Sequence, residues 1–357
     1  MKQKADASVE GRAPRALYRE YRPKSFKEVR GQEQVTSVLE AAIEKDEIAH
    51  AYLFAGGRGT GKTSMARILA HALKTAEEDI YEMDAASNRG IDEIRELREG
   101  VATLPFNSRY KFYIIDEAHA LTKDAWGAFL KTLEEPPAHV VFVLATTELD
   151  RVPETIASRC QVFRFNKPSH EVLKRLVTDV AKAEGATIAA AGAELISLMG
   201  GGSFRDTLGI LQKVLTVSKD KNLSEEEVAK VVGAPQSKTV NAFLHALAGN
   251  KIDDALTLVH EAEAAGIEMQ IFLLLVMAKV RGVLLLRYAP KMEAVLLEQF
   301  GEDDVVVLKE LAGKEGAAVN SALLSELIGA YIEMNRAPEP AIPLELSLYR
   351  ALGEAAL

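Results

Sequence analysis

The residues Gly56-Gly57-Arg58-Gly59-Thr60-Gly61-Lys62-Thr63 have types and spacing suited to holding a row of phosphates. They fit G-x-x-x-x-G-K-[ST] and lie between an apolar run, Ala51-Tyr52-Leu53-Phe54-Ala55, and a helical pattern that begins at Ser64. Glycines let the backbone fold tightly, so that its N–H groups point inward at phosphate oxygens. The helix N-terminus behind the loop adds positive potential. Lys62 is placed to reach the outer phosphates and Thr63 to hold a magnesium ion. A chance lysine in a glycine-rich turn would lack the flanking strand and helix. A second group lies at Lys111-Phe112-Tyr113-Ile114-Ile115-Asp116-Glu117. An apolar strand ending in Asp-Glu puts two carboxylates at the open edge of an α/β sheet. Asp116 would hold magnesium through water, and Glu117 would orient or deprotonate an attacking water. The plain alternative is two solvated acids. The two signals sit at strand ends in the right chain order, which argues against it.

The elements that must position these groups alternate. Strand-like runs at 51–55, 80–83, 111–115, 140–145 and 162–165 are separated by helical patterns, which implies a parallel sheet with covering helices. Val140–Ala145 has no polar alternation, as expected of a strand buried on both faces. After Lys167-Pro168-Ser169 the pattern becomes helical. Ser169 is a cap for a helix reaching about Ala183, and further helices fall near 189–199 and 203–218. Ser224-Glu225-Glu226-Glu227 reads as a capping box. Gly233-Ala234-Pro235 marks a boundary. From 236 to 353 only helical periodicity is present, broken at Gly249-Asn250, Gly266, Pro290 and 336–340. The expected fold is an α/β parallel-sheet core over 1–167, a small helical domain over 168–233 and an all-α domain over 234–357.

Other groups leave alternatives open. Arg159, in Ser158-Arg159-Cys160, is either a finger for a neighbour's γ-phosphate or an ordinary surface arginine. Thr146 and Thr147 end a strand, where a hydroxyl can meet a water or γ-phosphate, or they simply suit a strand. Arg205 opens a helix after Gly200-Gly201-Gly202, where its charge opposes the dipole, a weak hint of function. Arg89, Arg95 and Arg98 surround a helix start suited to DNA phosphates, though Glu93, Glu96 and Glu99 offset them. His119 reads as structural. No His, Asp or Glu set has metal-ligand spacing.

With 357 residues the chain is too long for one ordinary domain, and 48% hydrophobic content is ample for packed cores. A net charge of −9 excludes a basic nucleic-acid coat. Residues 1–30 are the exception, with nine Lys/Arg against four Asp/Glu, a phosphate-contacting arm or a solvated tail. Cys160 is the single cysteine, so neither an internal disulfide nor a Cys-ligated zinc site can form. The first residues are polar, unlike a secretory signal. The longest apolar segment, Ile271–Tyr288, is interrupted by Lys279, Arg281 and Arg287 and reads as a buried helix. No membrane association and a cytoplasmic location are expected.

The chain resembles the ATP-hydrolysing gamma/tau subunits of bacterial DNA polymerase III clamp loaders, an AAA+ family. The resemblance rests on Tyr21-Arg22-Pro23-Lys24-Ser25-Phe26, Val29-Arg30-Gly31-Gln32, the phosphate loop and Met83-Asp84-Ala85-Ala86-Ser87-Asn88. It continues through Ile115-Asp116-Glu117-Ala118-His119, Leu130–Pro137, Leu144-Ala145-Thr146-Thr147-Glu148 and Ser158-Arg159-Cys160. It is strong over about 17–165 and extends to Gly202–Leu208; the helical C-terminal part matches mainly in layout. The resemblance implies an AAA+ core, a lid over 168–233 and a collar over 234–357. It makes Arg159 a finger acting in trans, Thr147 the γ-phosphate sensor and Arg205 a second sensor. Arg22, Pro23 and Val29 would line an adenine pocket, beside a loop of Gly56, Gly57, Arg58, Gly59, Thr60, Gly61, Lys62, Thr63 and Ser64. It implies ATP and magnesium as cofactors. The implied partners are delta, delta-prime and further gamma/tau subunits, the sliding clamp and primer–template DNA. The family's usual four-cysteine zinc module has no counterpart in Leu73–Asp79, so zinc is not expected. The chain ends near the expected end of the collar, as a short form or a shortened chain would. Two alternatives stand beside this: another AAA+ motor, such as a branch-migration or recombination machine, and a non-catalytic clamp-loader scaffold. The first should end in a winged-helix domain and the second should have a degraded phosphate loop.

Overall fold

The structure, a computed structural model, describes residues 16–314 and 318–353. The first half of the expected basic arm, residues 1–15, lies outside the described residues. The chain divides into two compact units. One ends at Leu173 and takes in Gly200–Gly209; the other comprises Lys174–Met199 and the chain from Ile210 onward.

The first unit is built on five parallel strands, β1 (Ala51–Gly56), β2 (Ile80–Asp84), β3 (Lys111–Asp116), β4 (Val140–Thr146) and β5 (Gln161–Phe165). Their order across the sheet is β2-β3-β4-β1-β5. Each matches its expected run to within one residue. The register is tight, with Ala51 beside Phe142, Lys111 beside Val140, and Tyr52 beside Gln161. Central β4 is buried along its whole length, whereas edge strand β2 is largely exposed. That is why β4 lacks polar alternation and β2 carries Glu82 and Asp84.

Helices cover both faces: α1 (Leu17–Glu20), α2 (Glu33–Glu44), α3 (Lys62–Ala72), α4 (Ile91–Val101), α5 (Lys123–Glu134) and α6 (Glu154–Ala157). Alternate strand residues serve opposite layers. Leu53, Ile115, Phe142 and Leu144 pack with Ile94 and Leu97 of α4 and Trp126, Phe129 and Leu133 of α5. Tyr52, Phe54, Phe112, Ile114 and Val143 pack with Val35 and Leu39 of α2 and Met65 and Leu69 of α3. Each buried side chain of this size contributes about 1.5–3 kcal/mol by leaving water. Both layers hold the C-terminal ends of β1, β3 and β4 in fixed relation, and the chemistry-bearing residues follow those ends.

The remaining helices are α7 (His170–Ala183), α8 (Ala190–Met199), α9 (Phe204–Val217), α10 (Glu225–Val232), α11 (Ser237–Ala248), α12 (Ile252–Ala264), α13 (Met269–Tyr288), α14 (Glu293–Phe300), α15 (Glu302–Ala312), α16 (Ser321–Glu333) and α17 (Ala341–Leu348). Ser224 caps α10 by accepting the Glu227 amide at 3.2 Å. A parallel bridge of two-residue strands, β6 (Thr187–Ile188) and β7 (Asn222–Leu223), was not expected; segments that short carry no periodicity. The break between α14 and α15 at Gly301 was also unforeseen. Its φ of 84° explains why glycine is there. In the second unit, α13 runs through a core with Phe243, Leu244, Val259, Leu308, Leu327 and Leu344. By length and composition α13 could cross a membrane, but Phe272, Leu273, Val276, Val280 and Val283 are fully buried in that core.

One charge lies inside this apolar packing. Lys279 of α13 is 3% exposed, and its Nζ is 2.8 Å from Asp304 Oδ1. It also donates to Ser237 Oγ and to Asn241 Oδ1, the latter at 2.7 Å. Ser237 and Asn241 in turn donate to Asp304. The network ties α11, α13 and α15 together.

Candidate functional site

The phosphate-loop sequence forms the turn its glycines predict. β1 ends at Gly56, the chain turns through Gly59 and Gly61 with φ of 69° and 100°, and α3 begins at Lys62. At Gly56 a Cβ would strike the carbonyl oxygen of Phe165 on β5, and at Gly59 it would strike the Ser203 hydroxyl. Close backbone approach, as well as positive φ, therefore demands glycine here. The first amides of α3 have no intrahelical acceptor and are available to an anion. Gln32, 1% exposed, braces the loop: its amide donates to Asn166 O at 2.8 Å and lies 3.5 Å from Thr60 O, while its oxygen accepts from Asn166 N. Gln32 stood in a matching motif, but its type alone gave no reason to assign this role.

Lys62 is 6% exposed. Its Nζ donates to Gly56 O and Gly57 O, both at 2.8 Å. Burial lowers its pKa, opposed by the charges of Glu117 and Asp116. Among the described residues no carboxylate stands within ion-pairing distance of it. Next along the helix, Thr63 Oγ1 donates to Asp116 Oδ2 at 2.7 Å. Thr63 and Asp116 thus present two hard oxygens side by side at the sheet edge. That suits magnesium, which takes few protein ligands and completes its shell with phosphate and water. Among the described residues no larger His, Cys, Asp or Glu group is placed to hold a metal.

Glu117 follows β3 in a left-handed conformation, φ 47° and ψ 42°. For a non-glycine residue this costs on the order of 1–3 kcal/mol, a strain found at functional positions. Asp116 Oδ1 accepts the Glu117 amide at 2.9 Å and so steadies the turn. The Glu117 carboxylate accepts the Thr147 hydroxyl at 3.0 Å. Thr146, in contrast, is fully buried, accepts the Glu148 amide at 3.0 Å and faces His119 Nδ1 at 3.1 Å. The side chain from the end of β4 that reaches the Asp-Glu pair directly is therefore Thr147. The structure brings Lys62, Thr63, Asp116, Glu117 and Thr147 together.

The other expected residues lie around this centre. Arg22 Nε donates to Ser64 Oγ at 2.8 Å, on the first turn of α3. Its pKa is lowered, chiefly by burial, and Asp116 and Glu82 act against the shift. Its guanidinium is thus at the phosphate end. Val29 packs partly buried against the Tyr52–Phe54 cluster, and Pro23 is half-buried. Arg58 is exposed at the loop's tip. Arg205 is exposed, 5.8 Å above the Tyr18 ring, and Phe204 N donates to Gly59 O at 3.0 Å. Tyr18 and Ser203 were not singled out from sequence, since only the folded chain brings Ser203 to the loop and Tyr18 to Arg205. Arg159 follows α6, half-exposed, with Nη2 on Glu134 Oε1 at 2.8 Å and Nη1 on Thr155 O at 2.7 Å. Arg89, Arg95 and Arg98 are exposed at and along α4, where Arg95 pairs with Asp92 at 2.9 Å.

Comparison with known proteins places this geometry. Residues 31–90 and 74–169 match the family model described as DNA polymerase III, delta subunit. Residues 223–357 match that of DNA polymerase III subunits gamma and tau domain III. The Bacillus subtilis DNA polymerase III subunit tau is 34% identical over 94% of this chain and 62% of its own length. The Mycobacterium bovis subunit gamma/tau is 33% identical over 94% of this chain and 62% of its own. The Buchnera aphidicola subunit gamma is 29% identical over 95% of this chain and 98% of its own. The chain thus spans about three fifths of the length of the first two. Among solved structures, the Thermotoga maritima RuvB Holliday junction branch migration motor superposes with a TM-score of 0.52. It covers 71% of this chain and 90% of its own at 24% identity, a likeness of fold. A sheet ordered β2-β3-β4-β1-β5, with a phosphate loop after β1 and an Asp-Glu pair after β3, is the AAA+ class of P-loop fold. Within that class the chain belongs to the DNA polymerase III gamma/tau family.

Proposed function

We propose that the chain is an ATP-hydrolysing clamp-loader subunit, which helps to open a sliding clamp and place it on primer–template DNA. One observation carries this reading: Thr63 on Asp116 at 2.7 Å and Thr147 on Glu117 at 3.0 Å meet beside buried Lys62. Bound magnesium-ATP would supply the phosphorus to be attacked and a cation that spreads developing charge. Lys62 releases its two carbonyl partners and meets the outer phosphates. The α3 amides and the loop glycines cradle the rest. Thr63 and Asp116 hold the cation. Glu117 orients and deprotonates the attacking water, with Thr147 fixing one carboxylate oxygen and reporting the γ-phosphate. Arg205 acts as a second sensor. Arg22, Pro23 and Val29 border the nucleotide, Arg22 from the phosphate side. Arg159 exchanges Glu134 for the γ-phosphate of a neighbouring subunit.

In this reading residues 168–233 act as a lid and 234–357 as a collar joining delta, delta-prime and further gamma/tau copies. Arg89, Arg95 and Arg98 contact the DNA backbone. Binding and hydrolysis bias a two-state interface between subunits. The intact loop favours a catalytic subunit over a scaffold, and the match of residues 223–357 to gamma/tau domain III favours clamp loading over branch migration.

The test is ATP turnover by the full chain assembled with its partner subunits. Adding sliding clamp and primed DNA together should raise the rate; a rate indifferent to both would refute clamp loading. Replacing Arg159 by Ala should lower turnover in the assembly without weakening nucleotide binding to the variant subunit. Normal hydrolysis by that assembly would remove the trans role.

A further inference from the structure

His119 has more defined partners than a space-filling residue needs. It lies in the short turn Ala118–Ala120, two residues after Glu117, with its side chain 12% exposed. Its Nε2 is 3.1 Å from Glu148 Oε1. Its Nδ1 is 3.1 Å from Thr146 Oγ1 and 3.5 Å from Glu117 Oε2. Both ring nitrogens are therefore engaged, and the ring plane is fixed at two points by residues at the end of β4. Glu148 is itself held, accepting from Arg151 Nη1 at 3.2 Å.

The consequence falls on Glu117. Its Oε2 is reached by two arms that both start at the end of β4. Thr147 donates to it directly, and Thr146 acts on it through the His119 ring. The Glu117 side chain is one third exposed, so only part of it is in contact with the protein. The ring and the Thr147 hydroxyl both approach the same oxygen and so limit how the carboxylate can turn.

We infer that His119 is a positioning residue for hydrolysis: anchored by Thr146 and Glu148, it sets the orientation of the Glu117 carboxylate. The inference rests on the proposed ATPase reading, so the test has one arm that needs no turnover. In the free full chain, the ring resonances of the seven histidines are followed by NMR, and His119→Asn identifies those of His119. Glu117→Gln and Glu148→Gln should each shift the His119 ring signals and leave the other six in place. Unmoved signals in Glu117→Gln would overturn the inference whatever the enzyme does.

The second arm measures hydrolysis by the assembled complex. His119→Ala should lower kcat roughly ten- to a hundredfold, the cost of a misplaced reacting group, with KM and MgADP affinity unchanged. Glu148→Ala, which touches Glu117 nowhere, should lower kcat in the same direction by loosening the ring. His119→Asn, with a polar atom near the Nδ1 position, should recover part of the loss. An unchanged kcat in His119→Ala, or equal losses in kcat, MgADP affinity and melting temperature, would reduce His119 to a structural residue. If the unmodified complex hydrolyses nothing, the ATPase reading falls, and the NMR arm still decides whether the contact exists.

Discussion

The two units each bury a lysine, and the surroundings of the two amines differ. Lys279 in the second unit is 3% exposed and saturated, with Asp304, Ser237 and Asn241 all on its Nζ. Lys62 in the first unit is 6% exposed, and its Nζ rests on two backbone carbonyls. Burial lowers the pKa of both. In the helical unit the cost of desolvation is offset by a full ion pair within a closed hydrogen-bond network. In the α/β unit it is offset by two carbonyl dipoles and by the more distant charges of Glu117 and Asp116, neither of them paired with the amine. A buried cation without a paired anion, at a helix N-terminus, suits the polyanion of the proposed ATP reading. Lys111 is a second buried lysine of the first unit. Among the described residues it too has no carboxylate partner, but Gly100 O, Thr103 Oγ1 and the rings of Tyr81 and Tyr113 surround it, and the helix end it meets is the C-terminal turn of α4.

Substitution at the two lysines should separate these roles. The largest effect is expected at Lys62→Ala. Turnover by the assembled complex should fall roughly a thousandfold, about 4 kcal/mol of barrier. The melting temperature of the free chain should hold or rise, because a poorly compensated buried charge is gone. A rate close to the unmodified one would make the chain a non-catalytic member of its family.

The next effect belongs to Lys279→Ala. Deleting one partner strands Asp304 in the core and should cost about 3 kcal/mol. Hydrogen exchange of the α13 amides and the denaturant midpoint of the helical unit should both report it, while MgADP binding stays intact. A loss of nucleotide affinity as large as the loss of stability would mean that the two lysines are not independent.

What could be read in advance follows the same division. In the α/β unit each strand lies within one residue of its expected run, because apolar segments between glycine-rich turns are strong local signals. Lys62, Thr63, Asp116 and Glu117 could be named from spacing, since the chemistry itself imposes the spacing. The choice of Thr147 over Thr146 could not be derived from residue type. It depends on which side chain faces Glu117 after β4 pairs with β3. Gln32 and Ser203 join the loop, and Tyr18 meets Arg205, from far along the chain, and no local pattern foretells that. His119 read as structural because its partners, Thr146 and Glu148, lie 27 and 29 positions away. In the helical unit the periodicity gave helices and most of their breaks, but a charged residue inside an apolar run shows its partner only after packing. Lys279 could be read as a sign against a membrane span, whereas its pairing with Asp304 could not.

The smallest expected effect tests the comparison most closely. Replacing the whole Lys279 network by apolar residues of similar size, as Lys279→Met, Asp304→Leu, Ser237→Ala and Asn241→Leu, removes every buried polar group at once. No orphan remains, so the desolvation penalty disappears along with the ion pair. Buried networks exchanged in this way are often neutral or stabilising, and a change within about 1 kcal/mol is expected, far below that of Lys279→Ala alone. If the quadruple variant is as unstable as the single one, the network does more than satisfy itself: it would then be the feature that selects the packing of α11, α13 and α15 over alternatives. No comparable rescue should exist in the other unit. Lys62→Met would fill the same space and keep the fold, but no apolar side chain can stand in for a cation awaiting a phosphate.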